Sequence, residues 1–294
     1  TEVKAARAKL AEAQSRRETA AKKLRAEQGD GFDSGLEGVV QVLEAGKFMK
    51  TWRTRFARLD GSGASGGKPG VWTFALFRQA AAGQADLLVL AVKPQIMGAV
   101  VKDLAPALSH KPAVISIAAG IPLSALENWL GTDIALVRAM PNTPALVMSG
   151  ATGLFANSLL TEQQKQIVEQ LFQAVGIACW VEREELIDAV IAVSGSGPAY
   201  FFLVLEAMQK IGQELGLPQD TAEQLSLHTA LGASKMAIDS QASAAQLRQQ
   251  VTSPGGTTQA AIGRFEQQGL EDIFRQAMTS AVARADEMSK DFSS

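Results

Sequence analysis

The spacing of apolar residues changes twice along this chain. Up to about residue 85 no period persists. From 87 onward the apolar residues gather into short continuous runs, LLVLAV at 87–92, AVISIA at 113–118 and IALVRAM at 134–140, separated by stretches with helical spacing to about 108 and over 123–130. A strand covered by helices on both faces needs such an unbroken β-rich run. Strand, helix, strand, helix, strand in this order predicts a parallel α/β unit. GATGLFA at 150–156 and IACWVE at 177–182 predict two further strands at the sheet edge, bracketing a helix that Thr161 caps and Gly176 ends. After Arg183 the 3.6-residue period takes over, with helices expected at 184–193, 198–214, 221–239, 244–250, 257–268 and 271–290. One of these carries Ala230, Gly232, Ala233 and Ala237, small residues that permit close approach of another helix, expected from a second subunit.

The region before residue 85 has a different character. Its first 33 residues hold eight basic and six acidic side chains and predict a solvated helix. Between Lys47 and Lys68 stand six basic residues against one acidic residue, Asp60, with Phe48, Trp52 and Phe56 among them, but no recognisable nucleic-acid module accompanies them. A sheet that began at Leu87 would leave that strand as a bare edge, so an upstream segment is expected to pair with it, either GVVQVLEA at 38–45 or VWTFALF at 71–77.

Length and composition narrow the function. At 294 residues the chain exceeds one ordinary core, and 47% hydrophobic residues suffice for two domains. A formal net charge of −2 argues against a nucleic-acid or membrane-surface binder. The single Cys179 excludes an internal disulfide, and His110 and His228 lie too far apart in sequence to suggest a metal site, so no metal is expected. No signal peptide and no 18-residue apolar run was apparent, which predicts a soluble, cytoplasmic protein.

Two glycine-rich breaks interrupt the helical half: SGSGPAY at 194–200 and SPGGTT at 253–258. Turns of this kind expose backbone amides and hydroxyls to a small anion. In an open α/β sheet, ligands lie beyond the carboxyl ends of the strands, and the residues there are Ala91, Val92, Lys93 and Pro94, then Ala118, Ala119 and Gly120, then Met140, Pro141 and Asn142. Lys93 offers a cation, the small residues at 118–120 allow a flat ring to approach the main chain, and Pro141 and Pro144 stiffen a loop in which Asn142 and Thr143 are the polar side chains.

ADLLVLAVKPQ, VISIAAG, RAMPNTPA, VSGSGPAYFF and VTSPGGTT, in this order and spacing, resemble the pyrroline-5-carboxylate reductase family over about residues 85–291. The resemblance implies a Rossmann-like parallel sheet domain over 1–158 that binds NADP or NAD, followed by an all-helical dimerisation and substrate domain over 159–294. It implies reduction of 1-pyrroline-5-carboxylate to L-proline by intertwined dimers, some assembled into decamers. By position, Ala91, Val92, Lys93, Pro94, Ala118, Ala119, Gly120, Met140, Pro141 and Asn142 bind the cofactor. Ser194, Gly195, Ser196, Gly197, Ser253, Gly255, Gly256, Thr257 and Thr258 receive the substrate. The chemistry agrees: main-chain amides at 253–257 suit a carboxylate, and the Thr258 hydroxyl is the candidate catalytic donor to the ring nitrogen.

The family's opening strand and its GxGNMA-type turn have no counterpart upstream. A formal GxGxxG at Gly61, Gly63 and Gly66 follows the charged RTRFARLD rather than a buried strand, and Lys68, Pro69 and Gly70 prevent an immediate helix. The residue that selects NADH or NADPH belongs to the same missing segment. Two alternatives stay open: a reductase of another small imine or oxo acid, and a catalytically silent helical dimer that has lost dinucleotide binding.

Overall fold

A computed structural model describes residues 39–43, 82–83 and 85–293. The charged helix expected at the start, the basic and aromatic stretch at 47–68, the glycines at 61–66 and the candidate strand at 71–77 lie outside the described residues.

Six strands form one sheet in sequence order: β1 (Val39–Leu43), β2 (Leu87–Ala91), β3 (Ala113–Ser116), β4 (Leu136–Met140), β5 (Gly150–Ala156) and β6 (Gly176–Trp180). Strands β2, β3 and β4 are parallel, as their continuous apolar runs predict. The edge of β2 is covered from 39–43, one of the two expected donors, but β1 runs antiparallel, with Val39 opposite Ala91 and Leu43 opposite Leu87. On the other side β5 is antiparallel to β4, and β6 parallel to β5. The sheet is thus parallel at its centre and mixed at both margins.

Alternate residues of the central strands feed two cores. Leu88, Leu90, Val114 and Leu136 pack with α1 (Pro94–Leu104) and α2 (Leu123–Leu130) through Met97, Val101, Leu104 and Leu126. Leu87, Val89, Ile115 and Val137 form a second cluster with Val168, Leu171 and Phe172 of α3 (Glu162–Gln173). Period-two alternation with both sets apolar gives a helix–sheet–helix sandwich. Thr161 caps α3 as expected, accepting from the Gln164 amide while the Gln164 side chain returns to the Thr161 amide. Gly176 does not end that helix. The helix stops at Gln173, and Gly176 instead opens β6, which extends the sheet through Trp180, past residue 158.

Beyond Trp180 every element is helical: α4 (Leu186–Val190), a π turn at Ile191–Gly195, α5 (Gly197–Glu214), α6 (Gln219–Asp239), α7 (Ala244–Gln250), α8 (Thr257–Gln267) and α9 (Leu270–Ser293). Helices α5 and α6 contact one another, yet Phe201, Phe202 and Leu203 are each about two-thirds exposed. Contrary to the expectation of no long apolar run, Leu186–Glu214 is long and apolar enough to cross a membrane by length and composition alone, and only 17% of its most apolar window is buried. Among the described residues nothing covers this apolar face.

Candidate active site at the sheet–helix junction

The parallel pairing of β2, β3 and β4 brings their carboxyl ends to one edge, so three of the loops singled out from the sequence are neighbours. After β2, Lys93 is exposed at the N-cap of α1. No side chain caps this helix, and Pro94 occupies its first turn. Pro94 has no amide and the Ile96 amide donates to the Lys93 carbonyl at 3.1 Å, which leaves the Gln95 amide at the helix end that attracts anions. After β3, Ala118 is buried and Gly120 adopts φ +76°; a Cβ at Gly120 would stand 3.0 Å from Cβ of Met288, so glycine lets the end of α9 lie on this loop. Met140 ends β4 and Pro141 and Asn142 follow it, all three half-buried.

A buried ion cluster holds this edge against the helical half. Arg138, inside β4, is 4% exposed, and its guanidinium donates to Glu184 at 3.2 Å and to Asp188 at 3.3 Å. Glu184 also accepts from the Leu123 amide at 2.8 Å, supplying the acceptor that the first turn of α2 lacks. Burial pushes the Asp188 carboxyl above the usual aspartate range; Arg138 pulls it back, while Asp286 of α9 and Glu185 push it further up. Sequence reasoning gave no role to Arg138, Glu184 or Asp188. The signal was available in IALVRAM, because an arginine within an otherwise apolar strand requires buried partners.

Next to this cluster the first glycine-rich break meets the β4 loop. Asn142 Nδ2 donates to the Ser194 carbonyl at 3.0 Å, and its Oδ1 accepts from the Ala151 amide at 2.9 Å. Here the helix has π geometry, with the Ser196 amide donating to the Ile191 carbonyl at 2.7 Å, and the Ser194 hydroxyl donates to the Val190 carbonyl at 3.1 Å. Gly195 permits the contact: a Cβ there would come within 2.8 Å of Met140 Cε. Residues expected on the cofactor side, Met140 and Asn142, are thereby joined to residues expected on the substrate side, Ser194 and Gly195. Gly197 is buried at the start of α5, with Ser196 before it.

The second break stands apart. Ser253, Gly255, Thr257 and Thr258 are exposed, and Gly256 is the N-cap of α8. The Gly255 amide donates to Gln259 Oε1 at 2.6 Å and the Gly256 amide to the Ser253 carbonyl at 3.0 Å, so two amides expected in a carboxylate nest are engaged within the turn. The Thr257 and Thr258 amides open the first turn of an 11-residue helix, where no intrahelical acceptor exists. Among the described residues no hydrogen bond joins this turn to 140–142 or 194–197.

Comparison with known proteins accounts for both halves. The sequence model for pyrroline-5-carboxylate reductase dimerisation matches residues 184–288, the helical region, and the model for coenzyme F420-dependent NADP oxidoreductases matches residues 64–120, which include β2 and β3. The chain is 52% identical over 210 residues to a pyrroline-5-carboxylate reductase of Pseudomonas aeruginosa, covering 71% of this chain and 77% of that one. Among solved structures, a pyrroline-5-carboxylate reductase from Coxiella burnetii matches with TM-score 0.70 and 48% identity, covering 72% of this chain and 79% of that one. The Plasmodium falciparum pyrroline carboxylate reductase with NADP bound matches with TM-score 0.67 and 31% identity, covering 72% and 80%. A Rossmann-like sheet followed by a helical dimerisation region, carrying all five ordered motifs and this degree of identity, makes the chain a member of the pyrroline-5-carboxylate reductase family.

Proposed function

We propose that this protein reduces 1-pyrroline-5-carboxylate to L-proline, the last step of proline biosynthesis, using NADPH or NADH. The observation that carries the reading is the Asn142–Ser194 hydrogen bond at 3.0 Å, which sets the loop after β4 beside the first glycine-rich break. The described residues fit the nicotinamide half of a dinucleotide: small side chains at 118–120, an uncapped helix start behind Lys93, and Met140 with Pro141 at the shared strand edge. When bound, the reduced nicotinamide supplies the hydride.

The chain's own residues then bind and orient. In this reading the Thr257 and Thr258 amides, at the positive end of α8, receive the substrate carboxylate, with Ser253, Gly255 and Gly256 shaping the turn. Binding a carboxylate oxygen in place of Gln259 Oε1 would free the Gly255 amide for the same task. The Thr258 hydroxyl donates to the lone pair of the neutral imine nitrogen, where negative charge builds as the hydride arrives, and positioning supplies most of the rate. The exposed apolar face of α5 supports a dimer, and the exposed turn at 253–258 supports a site completed by the partner, with decamers as a further level of assembly. Cover of Leu186–Glu214 by a second chain rather than by lipid, and a cytoplasmic location, belong to the same reading. The natural division between sheet and helical domains falls after Trp180, where the sheet ends.

One observation favours a second reading. A phosphate-binding turn follows the carboxyl end of a strand parallel to β2, but β1 is antiparallel, so its carboxyl end at Leu43 lies beside the amino end of β2. This arrangement supports a silent dimer. NADPH oxidation in the presence of the cyclic imine tests the first reading, with turnover expected; a folded protein without turnover overturns it. Titration with NADPH, followed by quenching of tryptophan fluorescence, separates the two, since the silent dimer shows no saturable quenching.

A further inference from the structure

We propose that Asn142 is a positioning residue, whose side chain holds the Ser194 segment in place for catalysis and makes no required contact with the nicotinamide. This deepens the reductase reading and rests on it for its kinetic consequence only. The argument begins with Pro198. In an α-helix the Ser194 carbonyl would accept from the amide of residue 198, but proline has none. The next amide, that of Ala199, donates to Ser196 at 3.0 Å. At a half-buried position this leaves a carbonyl that must find a donor elsewhere, and Asn142 Nδ2 supplies it at 3.0 Å.

The opposite end of the same amide accepts from Ala151, on β5, at 2.9 Å. A donor facing a carbonyl and an acceptor facing an N–H fix the orientation of the asparagine and occupy both ends of it. Asn142 therefore ties three pieces of chain together: the β4 loop, β5, and the π turn that leads into α5. The π turn itself gives up regular α bonding, as single π turns do at functional sites. Its place depends on outside contacts: α9 packs against it, and toward the strand edge it is held by the Asn142 clasp and the Met140–Gly195 approach.

Hydrogen exchange on the full chain without ligand tests the clasp directly. Asn142→Ala is expected to raise amide exchange over residues 191–200 about 10-fold, a loss of roughly 1.4 kcal/mol of local protection. Pro198→Ala restores an amide to the helix and is expected to return most of that protection when combined with Asn142→Ala. Unchanged exchange in Asn142→Ala, or no recovery in the double variant, overturns the proposal. Kinetics supply the second arm. Asn142→Ala should lower kcat/KM for the imine about 10-fold while the Kd for NADPH stays within about 2-fold; a parallel loss of NADPH affinity would place Asn142 against the nicotinamide and overturn it. Failure of the unaltered chain to bind NADPH would sink the reductase reading alone, because the exchange measurement needs no ligand.

Discussion

Arg138→Met is expected to destabilise the chain by about 3 kcal/mol, the lower part of the range for removing one member of a buried ion cluster. The lower part applies because Glu184 and Asp188 keep 24% and 19% of their side-chain surface, whereas Arg138 keeps 4%. Methionine fills much of the space of the arginine stem but leaves two carboxylates without their shared cation, and Asp188 is already raised by burial and by Asp286. Adding Glu184→Gln and Asp188→Asn to the same chain removes those charges and should return a large part of the loss. Urea unfolding at one fixed protein concentration measures this, the concentration being held because self-association adds to apparent stability. A loss below about 1 kcal/mol, or a triple variant no more stable than Arg138→Met, would show that the cluster does not hold the sheet to the helices.

Thr258→Ala is expected to reduce kcat about 100-fold with the NADPH Kd unchanged within about 2-fold, the pattern for a donor that matters chiefly in the transition state. Thr258 stands in the first turn of α8 and is exposed in the single chain, so its hydroxyl is available to a ligand held between two copies. Thr258→Ser keeps the hydroxyl and should keep most of the rate. Steady-state kinetics beside fluorescence titration of NADPH give both numbers. Equal losses in kcat and NADPH affinity would remove Thr258 from the donor role, and so would a serine variant as slow as alanine.

Much of the architecture was legible in the letters. Continuous apolar runs placed β2, β3 and β4 within a residue or two, and the glycine-rich breaks at 194–200 and 253–258 separated helices that the structure reproduces closely. The Thr161 cap was readable because threonine is a preferred residue before a helix, while the return bond from the Gln164 side chain came from the structure. Gly176 misled because a glycine after a helix serves a cap and a strand start equally well. The apolar length within Leu186–Glu214 was missed because the glycines and serines of SGSG interrupt it to the eye, although its most apolar 18-residue window keeps a mean hydropathy of 1.5.

By itself the sequence determined the order of helices and strands, the three loops at one strand edge and the family, because each depends on neighbours within a few residues or on motifs read in order. Only the tertiary structure decided the antiparallel course of β1, the partners of Arg138 and the clasp made by Asn142. Those partners stand 46, 50 and 52 residues apart along the chain. No local period encodes such a pairing; it follows from a buried guanidinium and a carbonyl deprived of its donor by Pro198, each satisfied by whatever group the folded chain sets beside it.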